Sequence, residues 1–300
     1  MTRTRTGHGE TDRQQRQTLM VTNMISVITP VRNGRAFVEA CIKTVIDQRC
    51  PAAEHIIVDG ASTDGTLEII ETYAEKHTHI RWVSEPDQGQ SDAMNKGLAM
   101  ARGNIVAMLN TDDFYEPNVL NRVLELFKHL DEPALLVGNC NVWDNGGKLR
   151  SVNKPTRMKI TDLLLGLEIR PWPINPSQYF YHASLHEKIG PYRTDEYYAL
   201  DLDFILKAVS AAHVTYVNET WGNYRFMEGT KTYDDWKRGS NVARYQAYLK
   251  AHKRSLSASE RLEYSLKWFL STHKILVRSL LLSNTTPGIL RAILQKMVRH

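Results

Sequence analysis

Between Met24 and Leu109 the chain alternates short β-branched runs with stretches of helical period, and that alternation constrains the fold more than any other feature. Met24–Thr29, with Ile25, Val27 and Ile28, reads as a strand stopped by Pro30. Ala36–Asp47 places Phe37, Cys41, Ile42, Val45 and Ile46 at helical spacing, and His55–Val58 is a second buried strand ended by Asp59-Gly60. Thr66–Lys76 reads as a helix capped by Thr63 or Asp64. Ile80–Val83 follows as a third strand, Ser91–Ala101 as a helix with Met94, Leu98 and Ala101 inward, and Ile105–Leu109 as a fourth strand. Strands separated by helices of roughly ten residues predict an α/β fold, a mostly parallel sheet flanked by helices.

Polar loops follow three of these strands. Thr29-Pro30-Val31-Arg32-Asn33-Gly34 follows the first, Asp59-Gly60-Ala61-Ser62-Thr63-Asp64-Gly65 the second and Thr111-Asp112-Asp113 the fourth. In open α/β sheets ligands lie outside the carboxyl ends of the strands, so all three loops converge on one rim. Gly, Asn and Asp are also turn formers, and one such loop alone says little. Three on one edge predict a ligand of nucleotide size. The adjacent carboxylates of Asp112 and Asp113 carry the sharpest signal. Held that close they repel unless a cation intervenes. Mg²⁺ or Mn²⁺ takes carboxylate and phosphate oxygens together. The plainer alternative is a turn and a helix cap.

The bulk numbers narrow the class. Three hundred residues with 42% hydrophobic and 24% charged suit one large globular domain, or one with an appendage. The net charge of +5 is mild and uneven, since nine Lys/Arg against Glu260 and Glu263 fall between Lys253 and His300. Basicity is therefore no argument for a nucleic-acid partner, and none is expected. Cys41, Cys50 and Cys140 lack metal-type spacing and suit a reducing cytosol. No charged start leads into an apolar run, and no uninterrupted apolar stretch reaches the roughly eighteen residues of a membrane span, so a cytoplasmic location is expected. Residues 1–23 are polar and read as a disordered leader.

The segments ISVITPVRNG, IIVDGASTDGT, SEPDQGQSDAMNKGLAMARGNIVAMLNTDD and GPYRTDEYYALDLDFILKA, in that order, resemble the inverting nucleotide-sugar glycosyltransferases of family 2, of the bacterial polysaccharide and glycolipid type. The resemblance runs from about Met24 to Lys231. It implies a GT-A fold over residues 24–250, with a nucleotide-sugar half (24–115), an acceptor half (116–250) and a helical extension (251–300). By the same resemblance Thr29, Pro30 and Arg32 lie in the loop that meets the nucleoside. Asp59 accepts from the base N3–H, which favours a UDP- or dTDP-linked sugar, and Asp112 lies near the ribose. Asp113 holds Mn²⁺ or Mg²⁺ on the diphosphate, and Asp201 is the general base. Many members carry Glu-Asp at the base, whereas Leu200-Asp201 presents a lone acid and leaves Asp203 as its rival.

The residue types match what sugar transfer requires. The departing diphosphate develops negative charge that a carboxylate-held cation can offset. The incoming hydroxyl must lose a proton, which a positioned carboxylate can accept. Leu202 and Leu206 lie one helical turn apart and can pack inward, which sets Asp201 near a helix start that favours its anion. The alternative role for Asp201 is a helix cap. Asp92 divides between capping its helix and holding the diphosphate or donor sugar. Gln178, beside Trp172, Tyr179 and Phe180, and Arg225 and Lys231 are candidates for acceptor or diphosphate contact, with core packing the alternative. His182 and His186 at i,i+4 read as coincidence rather than zinc ligands.

The tail from Ser257 carries Leu262, Leu266, Phe269, Leu270, Val277 and Leu281 as one helical stripe, and Ile289, Leu290, Ile293, Leu294 and Met297 as a second after Pro287. Packing on the catalytic domain or another subunit is preferred over peripheral contact with the inner membrane face, which a lipid-linked acceptor would make useful. Two other functions remain open. A sugar-1-phosphate nucleotidyltransferase would want a Gly-rich, basic phosphate loop after strand one, which Pro30–Gly34 matches only in part. A non-catalytic carbohydrate-binding protein would have no need of Asp59, Asp112, Asp113 and Asp201 together.

Overall fold

The computed structural model describes residues 23–166, 171–195, 199–239 and 241–273. Apart from Asn23, the expected leader lies outside them, as does the second apolar stripe of the tail. β1 (Ile25–Val31), β2 (Ala53–Asp59), β3 (Ile80–Ser84) and β4 (Ile105–Met108) pair in the order β3-β2-β1-β4, all parallel. Between them run α1 (Val38–Ile46), α2 (Thr66–Ala74) and α3 (Gln90–Met100). β1 does not stop at Pro30 as its sequence suggested; it continues to Val31. β4 pairs with β1 only as far as Ile28, so beyond that point no neighbouring strand needs the N–H that proline lacks. The Pro30 carbonyl on that side accepts instead from Thr111 Oγ1 at 3.0 Å.

The second half folds onto the same sheet. It comprises β5 (Phe114–Tyr115), α4 (Val119–Phe127), β6 (Ala134–Trp143), β7 (Leu149–Asn153), α5 (Ile160–Leu163), a 3-10 turn (Pro176–Gln178) and β8 (Tyr179–His182). Then come α6 (Leu185–Ile189), α7 (Leu200–Ala211), β9 (His213–Arg225), α8 (Lys231–Arg238), α9 (Asn241–Ser255) and α10 (Ala258–Thr272). The order continues β4-β8-β6-β9-β5, with β7 beside β6. Here pairing is antiparallel except between β6 and β9, so the parallel part is confined to the first half. β8 slots between β4 and β6, which carries residues 175–182 next to the end of β4.

Successive strand side chains point to opposite faces, and both faces are covered. On one, Ile28, Val58, Met108, Tyr179 and Tyr181 pack with Met94 of α3 and Leu202, Phe204 and Leu206 of α7. On the other, Val27, Ala107, Leu136 and Phe180 pack with Cys41 and Val45 of α1 and Leu120 and Val123 of α4. α3 approaches β1 closely, since a Cβ on Gly97 would lie 2.3 Å from Ile28 Cγ2. The division expected at residue 250 falls inside α9, and Ser257 and Glu260 form a capping box that starts α10. α10 is tied to the body, because Lys267 Nζ reaches Asp162 Oδ2 at 2.6 Å and Thr161 Oγ1 at 2.8 Å on α5.

Candidate active site

The rim loops are joined by direct hydrogen bonds. Asp59 ends β2 fully buried, and its carboxylate accepts from Ser62 N at 3.0 Å, Ser84 Oγ at 2.6 Å and the Ser62 hydroxyl. Ser62 Oγ in turn accepts from Asn33 N at 2.7 Å, and Asn33 Oδ1 accepts from Thr63 N at 2.9 Å. The loops after β1 and β2 thus form one unit around Asp59. Gly60 leaves room there for the Asp87 carboxylate, which an added Cβ would meet at 2.3 Å and displace. Arg32 is exposed beside this position. Thr29 belongs to the rim by its backbone alone. Its side chain is buried, 2.9 Å from His55 Nε2.

The acidic pair follows β4. Asp113 is 2% exposed, and its Oδ2 accepts from Asn110 Nδ2 at 3.0 Å and from Asn175 Nδ2 at 2.6 Å. The Arg225 backbone N–H approaches its Oδ1 at 3.4 Å. Asp112 is half-buried. Burial raises the Asp112 carboxyl above its ordinary range, opposed by the Arg225 charge. Burial, then the charge of Asp112, pushes Asp113 well above it, opposed by the two amide donors. Two carboxylates that resist ionising together form a site short of positive charge. The Arg225 guanidinium, which lies over the Phe114 ring at 4.8 Å, supplies part of it. The donors are hard oxygens, the type that Mg²⁺ and Mn²⁺ take together with phosphates; among the described residues no group of three His, Cys, Asp or Glu assembles.

Asp201 lies in the first turn of α7, and Leu202 and Leu206 pack inward as their spacing predicts. Phe204, one turn on from Asp201, stacks on Tyr179 with centroids 5.7 Å apart. The charge of Asp201 adds to the burial that raises the Tyr179 and Tyr192 hydroxyls. Asp203 differs. It is 5% exposed, and its Oδ2 lies 2.6 Å from Lys207 Nζ, an i,i+4 ion pair on α7. The backbone of Tyr192 exchanges hydrogen bonds of 2.8 and 2.9 Å with the Asn95 amide, which ties the segment before α7 to α3.

The remaining candidates divide. Asp92 accepts from Gln88 N at 3.1 Å and pairs with Lys96 at 3.4 Å, so it shapes the loop opening α3. Gln178 is fully buried, and among the described residues neither of its amide atoms has a hydrogen-bond partner. Lys231 opens α8, but its side chain lies outside the described residues. His182 Nδ1 accepts from Ala134 N at 3.0 Å, and His186 bonds Tyr181 and the Gly190 carbonyl, so neither reads as a metal ligand. Sequence reasoning gave no role to Asn110 or Ser62, though both lie in the loops it singled out, and missed Asn175 and Ser84. Only the Asn-Pro step at 175–176 and the Asn before Thr111-Asp112 marked two of them, as turn residues rather than as carboxylate holders.

This arrangement has a family. The model of glycosyl transferase family 2 matches residues 26–178. The chain belongs to glycosyltransferase family 2. An uncharacterized glycosyltransferase of Escherichia coli strain K12, YibD, is 32% identical over 163 residues, 50% of this chain and 46% of that protein. The chain therefore spans less than half of that relative's length. A PGL/p-HBAD biosynthesis glycosyltransferase of Mycobacterium tuberculosis is 31% identical over 195 residues, 64% of this chain and 72% of that protein. The fold is that of Staphylococcus aureus TarS 1-349, solved in complex with UDP-GlcNAc, at TM-score 0.61 and 17% identity over 87% of this chain and 76% of that one. It is also that of mannosyltransferase PcManGT from Pyrobaculum calidifontis, solved with GDP-Man and Mn²⁺, at TM-score 0.57 and 20% identity over 94% and 82% of the two chains.

Proposed function

We propose that this glycosyltransferase moves a sugar from a nucleotide-sugar to an acceptor hydroxyl with inversion, assisted by a divalent cation, in the synthesis of a cell-surface polysaccharide or glycolipid. The observation that carries the reading is the rim that holds the buried Asp59 at the end of β2 and the Asp112–Asp113 pair after β4, with Asp201 in the first turn of α7, where its charge acts on Tyr179 at the start of β8. In this reading Asp59 accepts from a base N–H, which would share its enclosed carboxylate with Ser62 and Ser84, and Arg32 and the backbone of Thr29–Pro30 lie at the same loop edge. Uracil or thymine carries such a donor, which makes a UDP- or dTDP-sugar the favoured donor. PcManGT with GDP-Man and Mn²⁺, and TarS with UDP-GlcNAc, support a nucleotide-sugar ligand.

Asp112 and Asp113 together would hold Mn²⁺ or Mg²⁺, which offsets charge on the departing diphosphate. This assignment departs from the division expected from the resemblance, with Asp112 on the ribose and Asp113 alone on the metal. Asp113 is almost fully enclosed and aimed by Asn110 and Asn175, whereas Asp112 has the more open carboxylate. Arg225, already beside the pair, stabilises the same anion.

Asp201 takes the proton of the acceptor hydroxyl as that oxygen bonds to the anomeric carbon, on the face opposite the leaving diphosphate. The N-terminal turn of α7 favours its ionised form. Asp203 is the weaker candidate, because Lys207 already claims its carboxylate. Asp92 acts by holding the loop before α3 rather than by touching donor. A panel of nucleotide-sugars with Mn²⁺ and a mixed carbohydrate and lipid-linked acceptor pool tests the reading. Release of nucleoside diphosphate from one donor is expected. Release of pyrophosphate from a nucleoside triphosphate and a sugar phosphate would point to a nucleotidyltransferase, and sugar binding without release to a binding protein.

A further inference from the structure

Trp143 ends β6 and Arg225 ends β9, and past these two ends the surface opens into a cleft of about 570 Å³. Small-molecule sites run roughly from 300 to 1,000 Å³. β8 runs against both β4 and β6, and β6 runs with β9, so β6 and β9 point the same way as β4. The cleft therefore opens on the carboxyl rim that carries Asp59 and the Asp112–Asp113 pair, on the side of the pair away from Asp59 in the strand order. Phe226 on its wall directly follows Arg225, whose backbone N–H approaches Asp113 Oδ1 at 3.4 Å. Two hydrogen bonds fasten the walls to each other, from Phe226 N to the Trp143 carbonyl at 2.9 Å and from Glu228 N to Asn145 Oδ1 at 2.6 Å.

The lining says what fits. Phe226 and Tyr233 of α8 bring two rings whose centroids lie 5.3 Å apart, and the Arg150 guanidinium of β7 lies over Phe226 at 5.5 Å. Lys148 stands beside them, just before β7. Both cations are exposed, and among the described residues neither pairs with a carboxylate. The acid of the lining, Asp144, turns its Oδ1 to the backbone N–H groups of Gly146 and Lys148 at 2.9 and 3.0 Å. Aromatic rings offer apolar area to the C–H face of a sugar, and a guanidinium or ammonium without a partner binds carboxylate or phosphate. We propose that this cleft is an acceptor subsite for an anionic saccharide. A sugar ring packs on Phe226 and Tyr233 while its carboxylate or phosphate meets Arg150 and Lys148. The inference rests on the sugar-transfer reading and names the class of acceptor. In that reading the nucleotide-sugar is a poorer occupant, because its base end lies at Asp59, across the acidic pair from the cleft.

The experiment titrates the full chain with tetragalacturonate and with mannopentaose phosphate, each against its uncharged counterpart, the methyl ester and mannopentaose, with Mn²⁺ and with UDP present or absent. At least one charged probe should bind about tenfold tighter than its neutral form, an advantage that fades with added salt. Which probe shows it separates carboxylate from phosphate. The variant K148M/R150M should bring charged and neutral probes level while Tm and UDP affinity stay unchanged. Tyr233→Ala should weaken both forms alike, by about three- to tenfold. No advantage of charge in the wild type, or one that survives K148M/R150M, overturns the proposal. So does displacement of the probe by UDP, which would make the cleft part of the donor site. A chain that binds UDP but does not favour a charged probe fails this proposal alone, whereas one that binds no UDP fails the sugar-transfer reading.

Discussion

The proposed nucleoside end and the proposed diphosphate end of the site solve the same problem, a buried carboxylate, in opposite ways. At the nucleoside end Asp59 is surrounded by donors of its own chain: two serine hydroxyls and a backbone N–H. At the diphosphate end Asp113 has two amide donors but also a second carboxylate beside it; burial drives both away from their charged forms, and the charge of Asp112 adds to the shift of Asp113. A carboxylate satisfied by fixed dipoles is a rigid acceptor, suited to reading one N–H. A pair left short of positive charge is suited to a cation that arrives with the substrate. The contrast predicts that the two ends respond differently to the same perturbations.

The largest effect belongs to the residue that both ends serve. Asp201→Asn should lower turnover by about two to four orders of magnitude while leaving affinity for UDP and for uridine at wild-type values. Asp203→Asn should instead lower Tm, because it leaves Lys207 without its partner, and keep most activity per folded molecule. A dead but well-folded Asp203→Asn beside an active Asp201→Asn would reverse the roles. At the diphosphate end Asp112→Asn and Asp113→Asn should each weaken Mn²⁺-dependent UDP binding about a hundredfold, and Asn175→Ala about tenfold. Titration calorimetry at fixed Mn²⁺ checks all three, and equal affinity for either aspartate variant would remove it from the cation site. At the nucleoside end Asp59→Ala should weaken uridine and UDP alike by about ten- to a hundredfold, the worth of a charge-assisted hydrogen bond.

The smallest effect lies behind the nucleoside end, in His55. Burial holds its ring down to about 3 from an ordinary value of 6.5, so the folded protein keeps it neutral. Between those values the unfolded chain binds the proton and the folded one does not. Stability is therefore full above about pH 6.5 and falls as pH drops toward 3, with His55 alone costing about 2 kcal/mol by pH 5. His79, His182 and His186, also lowered chiefly by burial, add in the same direction. Urea unfolding at pH 5 and pH 7.5 measures the difference, and His55→Asn should shrink it. A pH-independent midpoint would contradict the burial of a neutral ring.

Much of this is legible in the sequence. The runs at Ile25, His55 and Ile105 announced buried parallel strands, and Asp59, Asp112 and Asp113 could be placed on the rim because each follows such a run. Asp203 could have been set aside as well, since Lys207 stands four residues on. What was hidden depends on distant pairing. Asn175 reaches Asp113 only because β8 inserts antiparallel between β4 and β6, and no local pattern encodes that insertion. Pro30 was misread as a strand end because a proline is tolerated wherever a neighbouring strand has already stopped, which its own sequence cannot show. The anchoring of α10 was equally hidden: Asp162 sits on a single helical turn 105 residues from Lys267.

The most direct test of the account compares UDP with uridine, each titrated into the protein with Mn²⁺ and then with the metal chelated. The account predicts that UDP loses most of its affinity when the metal is removed, because the Asp112–Asp113 pair then repels the diphosphate. Uridine affinity should stay the same in both conditions, because Asp59 and its loop need no cation. UDP affinity that is indifferent to the metal, or uridine affinity that follows it, would contradict the division of the site into a dipole-satisfied end and a cation-requiring one.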